Sequence, residues 1–314
     1  MDKVLILKPR LDVSFKRGAV PAVRGPVRPP REHWRHCVDK LALEHEEKGD
    51  TVKIVELPHW QFSPELVEAI KPTKTYIPHK QNYQFPISDR YGPTFYMQMV
   101  FPWLFQIDTK GWGADASVWP IRSEPGHSDV YNELLERQMA GKSKFEQPLI
   151  NSLNSFDHDS YIFFPCQIPH DESIQLHSKV SVEEALQNTI EFCKAADVEL
   201  IIKGHPVNKE SMKHLKEIGK DYLWADDINV NTLIAQCAVV CTVNSGVGME
   251  AILHGKPVCT YGSADYTDAA HDIPSLDAAH SIIKTALTTL PDSVKYRNFI
   301  NTYVAKMFDS RSTV

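Results

Sequence analysis

A chain of 314 residues with a formal net charge of −6 and 42% hydrophobic residues is that of a folded globular protein, long enough for two ordinary domains. It has no run of about 18 apolar residues, which excludes a membrane-spanning helix, and the apolar stretch after Met1 is too short for a signal peptide. The six cysteines (37, 166, 193, 237, 241, 259) make no CxxC pair and the 14 histidines no HExxH-type pair, so buried reduced thiols are expected and a metal site is not.

The first half alternates strand and helix. Residues 4–7 read as a strand. Residues 1–36 carry nine Lys/Arg against three acids, a local charge of +6 that leaves −12 for the rest. Four prolines between 16 and 31 exclude a regular helix or central strand there, so that stretch reads as a long basic loop. Lys16, Arg17, Arg24 and Arg28 are its candidate anion-binding residues, for a glycan, a lipid phosphate or a nucleic acid. Residues 32–48 read as a helix with Trp34, Val38, Leu41 and Ala42 on one side and Gly49 as its stop. A strand at 52–57, a short helix opened by Ser63-Pro64 and a strand at 75–77 follow. The apolar run 93–105 reads as a buried helix. Residues 108–128 are irregular, 131–158 a helix and then a polar connector, the predicted domain boundary near 155.

The second half is more regular. Strands are expected at 161–164, 199–203, 222–225, 238–243 and 258–261. Helices are expected at 181–196, opened by the capping box Ser181-Val182-Glu183-Glu184, at 208–218 with Asn208 as cap, and at 229–236, 247–253, 275–289 and 292–307. Such alternation implies parallel sheets with helices on both faces. The expected organisation is an N-terminal domain over 1–155, a C-terminal nucleotide-binding domain over 156–290, and a helix over 291–314 packing back toward the first.

Three strand ends carry the candidate chemistry, because ligands of open α/β sheets sit beyond the carboxyl ends of strands. In Val243-Asn244-Ser245-Gly246-Val247-Gly248-Met249-Glu250, a buried strand passes through a glycine turn into a helix, the arrangement that offers free N–H groups and a positive helix end to a phosphate. The spacing is neither that of a Walker loop nor of a dinucleotide fingerprint. Glu250, one turn in, is placed to accept ribose hydroxyls. Lys203-Gly204-His205-Pro206 leaves another strand and offers charge to a phosphate. Gln167-Ile168-Pro169-His170-Asp171 leaves a third, where Asp171 is either a nucleophile or base or simply a turn cap.

Taken together, Gln167-x-x-x-Asp171, His205-Pro206, the 244–250 run and Gly255-Lys256-Pro257 resemble the bacterial capsule polysaccharide synthesis family, whose best-understood members are retaining β-Kdo glycosyltransferases using CMP-Kdo. The resemblance covers residues 160–266. It implies an α/β, GT-B-like fold of two Rossmann-like domains facing a cleft, with Asp171 as nucleophile and with His205 and the Ser245–Glu250 turn holding the CMP moiety. With the residues' own chemistry, the candidate catalytic set is Asp171, His205 and Gln167, and the candidate donor-binding set is Lys203, His205, Pro206, Asn244, Ser245, Gly246, Val247, Gly248 and Glu250. Gly111-Trp112-Gly113 with Ser117 resembles a segment of the family's N-terminal domain and makes Trp112 a candidate acceptor contact. The family's acidic motif is not present after it; Glu124 and Asp115 are the nearest carboxylates.

The expectation is a cytoplasmic glycosyltransferase, in the cytosol or against the inner face of the membrane. It would pass Kdo from CMP-Kdo to an anionic glycan or glycolipid, with no metal and no cofactor beyond the nucleotide-sugar. The alternatives are another CMP- or UDP-sugar with an unusual acceptor such as modified DNA, and a non-catalytic nucleotide-binding or scaffold protein.

Overall fold

The computed structural model describes residues 1–10, 13–16, 20–23, 28–58, 61–80, 88–118, 120–121, 129–148, 160–206 and 211–311. Two compact units emerge: Met1–Trp119 together with Lys306–Val314, and Pro120–Ala305.

The first unit contains β1 (Lys3–Pro9), β2 (Val13–Lys16), β3 (Val20–Val23), α1 (Arg28–Glu46), β4 (Thr51–Leu57), α2 (Pro64–Ile70), β5 (Lys74–Pro78), α3 (Ser88–Tyr91), β6 (Thr94–Phe101) and β7 (Leu104–Asp108). Strands β4, β1, β5 and β6 lie parallel in that order, and β7 turns back antiparallel on β6. Trp34, Val38 and Leu41 of α1 pack on Val4, Ile6, Met97, Met99 and Phe105 of the sheet.

Two expectations fail here. The 93–105 run is the β6–β7 hairpin, not a helix. Tyr96, Met97, Met99 and Phe101 are buried while Phe95, Gln98 and Val100 are only partly so, a near-twofold alternation, and Trp103 at φ 56° reverses the chain. The basic stretch is not one loop, since β2 and β3 form a two-stranded hairpin and α1 begins at Arg28. Lys16 ends β2, while Arg17 and Arg24 lie outside the described residues.

The second unit contains α4 (Asp129–Met139), β8 (Tyr161–Pro165), α5 (Glu172–His177), α6 (Val182–Ala196), β9 (Glu199–Lys203), α7 (Met212–Ile218), β10 (Leu223–Trp224), α8 (Val230–Gln236), β11 (Val239–Thr242), α9 (Gly246–Leu253), β12 (Val258–Thr260), β13 (His271–Asp272), α10 (Leu276–Thr288) and α11 (Ser293–Val304). Every pairing in its sheet is parallel, in the order β10-β9-β8-β11-β12-β13. Ile162 and Phe164, Leu200 and Ile202, and Val239 and Cys241 point to one face, under α6, α7 and α10. Helices α8 and α9 pack on the sheet as well, with α4 and α11 against α9. Both bonds of the Ser181–Glu184 capping box form, and all six cysteines are free and buried.

The units divide after residue 119, not near 155, because α4 packs on α9 and α11. Residues 149–159 of the connector, and the expected Asn208 cap, lie outside the described residues. For the same reason α11 belongs to the second unit. Only the tail, with β14 (Phe308–Asp309) antiparallel to β7, returns to the first.

His254 closes the C-terminal end of α9, and burial, with Lys256 nearby, lowers its pKa from 6.5 to about 4. The folded protein thus keeps His254 neutral where the unfolded chain takes up a proton. Its contribution is intact above pH 6.5 and is lost as pH falls toward 4, by roughly 3 kcal/mol at most. Urea unfolding at pH 7 and pH 4.5 should show this acid loss in wild type and much less of it in His254→Gln; equal losses would contradict it.

Candidate active site

In the second unit the strand order reverses between β8 and β11, and that reversal is where open α/β sheets bind ligands. The side chain of Gln167, just past β8, spans it. Its Nε2 donates to Asn244 Oδ1 at 2.9 Å, and its Oε1 accepts from Asn244 N at 3.0 Å and Thr242 Oγ1 at 3.3 Å. Asn244 Nδ2 then donates to the carbonyls of Ser173 at 2.7 Å and Ser263 at 3.2 Å, so one buried amide pair ties together the loops after β8, β11 and β12. These bonds use the amide of Gln167 within the protein, which makes it a positioning residue.

Asp171 is exposed at the N-terminal end of α5. Its Oδ1 accepts from Ser173 N at 2.9 Å and Ser173 Oγ at 2.8 Å, so the capping role is real. Both bonds fall on one oxygen, and among the described residues Oδ2 accepts no such bond.

Ser245 caps α9, accepting from Val247 N at 3.2 Å. Gly246 is exposed, and a Cβ there would meet nothing within 4 Å. Gly248 is needed for a different reason: a Cβ would fall 2.3 Å from Tyr266 Oη, which donates to the Ser245 carbonyl and fixes the turn from behind. Val247 is partly buried between them. Ser245→Ala removes the cap and should cost about 1 kcal/mol of stability, read by chemical denaturation; an unchanged midpoint would count against the capping role.

Glu250 is buried. Its Oε1 accepts from Ser143 Oγ, its carboxylate also accepts the Lys144 N–H, and its Oε2 is buried with no partner among the described residues. Burial pushes its pKa up. An orphaned acceptor in a strand-end site is a place for a hydroxyl donor.

His205 follows β9, partly buried, with its N–H on Met212 Sδ at 3.2 Å and its ring edge-on to Phe145 at 5.7 Å; Pro206 is exposed beside it. Lys203 departs from expectation. Its Nζ donates to the carbonyls of Ala225 at 3.2 Å, Asp226 at 2.9 Å and Ile228 at 2.7 Å. An ammonium has three donors, and all are spent on backbone. Burial lowers its pKa, and the residue staples β9 to the loop after β10 rather than serving a phosphate.

Trp112 is buried in the first unit and offers no surface to an acceptor. It precedes a 3-10 turn, Gly113–Asp115, held by Gln106 and Asp108: Gly113 N donates to Gln106 Oε1 at 2.8 Å, and Ser117 N and Oγ donate to Asp108 Oδ2 at 3.0 and 2.6 Å. Glu124 lies outside the described residues.

The sequence reading missed the segment 141–148. It is pinned at both ends to the N-terminal end of α8, where Asn229 Nδ2 donates to Gly141 O at 2.7 Å and Pro148 O at 3.5 Å, and Val230 N donates to Gln147 Oε1 at 3.1 Å. Its middle reaches Glu250 through Ser143 and His205 through Phe145. The available signal was the run Gly141-Lys142-Ser143-Lys144-Phe145 after a helix.

The sequence profile of the capsule polysaccharide biosynthesis proteins matches residues 127–302, more than half of the chain and nearly all of the second unit. The chain belongs to this family. Among curated relatives, FixF of Sinorhizobium fredii is 30% identical over 165 residues, 46% of this chain and 38% of FixF. The capsule polysaccharide export protein KpsS of Escherichia coli is 28% identical over 127 residues, 36% of this chain and 32% of KpsS. The match thus spans about a third of the length of these relatives. Among solved structures, the β-Kdo 2,7 transferase of Thermosulfurimonas dismutans KpsC superposes with a TM-score of 0.53 at 15% identity, over 97% of this chain and 98% of that one. The β-Kdo 2,4 transferase of the same KpsC gives 0.50 at 14% identity, over 82% and 87%. At such identity the likeness is one of fold: this capsule-family chain has the GT-B-like architecture of two Rossmann-like domains.

Proposed function

We propose that this capsule-family protein is a glycosyltransferase that passes Kdo from CMP-Kdo to an anionic glycan or glycolipid acceptor, retaining configuration through Asp171. The observation that carries the reading is the Gln167–Asn244 pair across the sheet's switch point. It gathers Asp171, the capped N-terminal end of α9 and the orphaned Glu250 oxygen at the carboxyl edge of an all-parallel sheet. KpsC domains described as β-Kdo transferases share the fold.

In this reading Glu250 Oε2 takes a ribose hydroxyl, and the N-terminal end of α9 with His205 stabilises the departing CMP phosphate. Lys203 is not part of that set. Asp171 Oδ2 attacks the anomeric carbon of the sugar as its bond to the CMP oxygen breaks, giving a glycosyl ester of inverted configuration. An acceptor hydroxyl, giving up its proton to solvent, then displaces the carboxylate, which leaves as the free Asp171 carboxylate, and inverts the centre again. Among the described residues no helix is long and apolar enough to cross a membrane.

A thermal-shift screen with CMP, UDP, GDP and ADP tests the donor class. CMP at about 100 times its dissociation constant should add roughly 2.7 kcal/mol of stability. A response to UDP alone would move the donor to another sugar nucleotide, and no response to any would leave a protein that does not use one.

A further inference from the structure

We propose that Tyr266 is a positioning residue that aims the Gly246 N–H at the phosphate of the sugar-nucleotide donor. The inference rests on the donor reading above and adds to it a residue of the loop after β12, from outside the strand-end motifs.

Three observations carry it. First, the Ser245–Gly246 peptide is held by its carbonyl. Tyr266 is fully buried and donates its hydroxyl to Ser245 O at 2.5 Å, and Gly248 N donates to the same oxygen at 2.9 Å. In a trans peptide the carbonyl and the N–H point in opposite directions. A bond that fixes the Ser245 carbonyl on the buried side therefore turns the Gly246 N–H to the other side, where Gly246 is exposed and a Cβ would meet nothing within 4 Å. Second, that N–H is the donor the turn leaves over. Val247 N is taken by Ser245 Oγ at 3.2 Å and Gly248 N by the Ser245 carbonyl, while the Gly246 N–H, at the first helical position, has no partner among the described residues. One turn along, Glu250 is only 7% exposed and its Oε2 has no partner among the described residues, so an unused donor and an unused acceptor lie at i and i+4 of α9. A nucleoside monophosphate offers a phosphate oxygen to the first and a ribose hydroxyl to the second. Third, the sequence of α9 makes room for the phenol. A Cβ on Gly248 would lie 2.3 Å from Tyr266 Oη and 2.4 Å from its Cζ, so the first turn of the helix rests directly on the ring. Burial pushes the Tyr266 pKa well up, and the hydroxyl keeps the proton that it donates.

The test measures binding of CMP and cytidine by calorimetry to wild type, Tyr266→Phe, Gly248→Ala and the double variant. Tyr266→Phe keeps the ring and loses only the hydroxyl. It should weaken CMP by about five- to tenfold, and cytidine, which has no phosphate, by less than about twofold. Gly248→Ala pushes the phenol off the Ser245 carbonyl, so it should weaken CMP as well, and adding Tyr266→Phe to it should cost little more. Tyr266→Phe decides the matter alone if Gly248→Ala does not fold. An unchanged CMP affinity in Tyr266→Phe would overturn the proposal. Equal losses for cytidine and CMP would also overturn it, because Tyr266 would then prop the whole site, and so would fully additive losses in the double variant. Those results leave the donor reading standing provided wild type binds CMP. If wild type binds no cytidine nucleotide, the donor reading falls and the role of Tyr266 with it.

Discussion

Asp171→Asn is expected to lower sugar transfer by on the order of 10³-fold or more, about 4 kcal/mol of barrier, with fold and CMP affinity nearly unchanged. The substitution separates two roles that one side chain holds. Asp171 caps α5 through Oδ1, and asparagine caps a helix about as well as aspartate. The amide therefore keeps the cap but loses the charge and most of the nucleophilicity. Asp171→Ala should lose both, adding about 1 kcal/mol of destabilisation. Intact-protein mass spectrometry after incubation with donor and no acceptor should find a sugar adduct that maps to Asp171. Near-wild-type turnover by Asp171→Asn would leave the residue a cap and nothing more, and an inverted product would reduce it to a general base.

Lys203→Met should destabilise the protein by roughly 3–5 kcal/mol, since three carbonyls lose a charged donor in a buried place. The loss should appear as a lower denaturant midpoint. CMP affinity, measured where the variant is still folded, should fall little, because the ammonium points at the 225–228 loop. A variant that keeps its stability within about 1 kcal/mol and loses CMP would return Lys203 to the donor site. The comparison distinguishes a lysine that holds the fold from one that holds a ligand, two roles that look alike on paper at the end of a strand.

What the sequence determined by itself was mostly local. The capping box of α6, the Ser63-Pro64 start of α2, and the strand–helix alternation of residues 160–304 rest on contacts between residues a few positions apart, and the chain declares these directly. The α/β class and the cluster of candidate residues after β8, β9 and β11 followed from that alternation. The 93–105 run was illegible because a nearly continuous apolar stretch suits a buried helix and a buried hairpin alike. The pairing of β6 with β5 and β7 decided it. The direction of Lys203 depended on a loop more than 20 residues away, and the Gln167–Asn244 bond joins residues 77 apart. The arrival of Ser143, Lys144 and Phe145 at Glu250 and His205 needs α4 to pack on α9, which no local pattern announces. Short-range hydrogen bonds and periodicity are written into neighbouring residues. Which distant loops share a strand end is set only when the sheet order and helix packing bring them there.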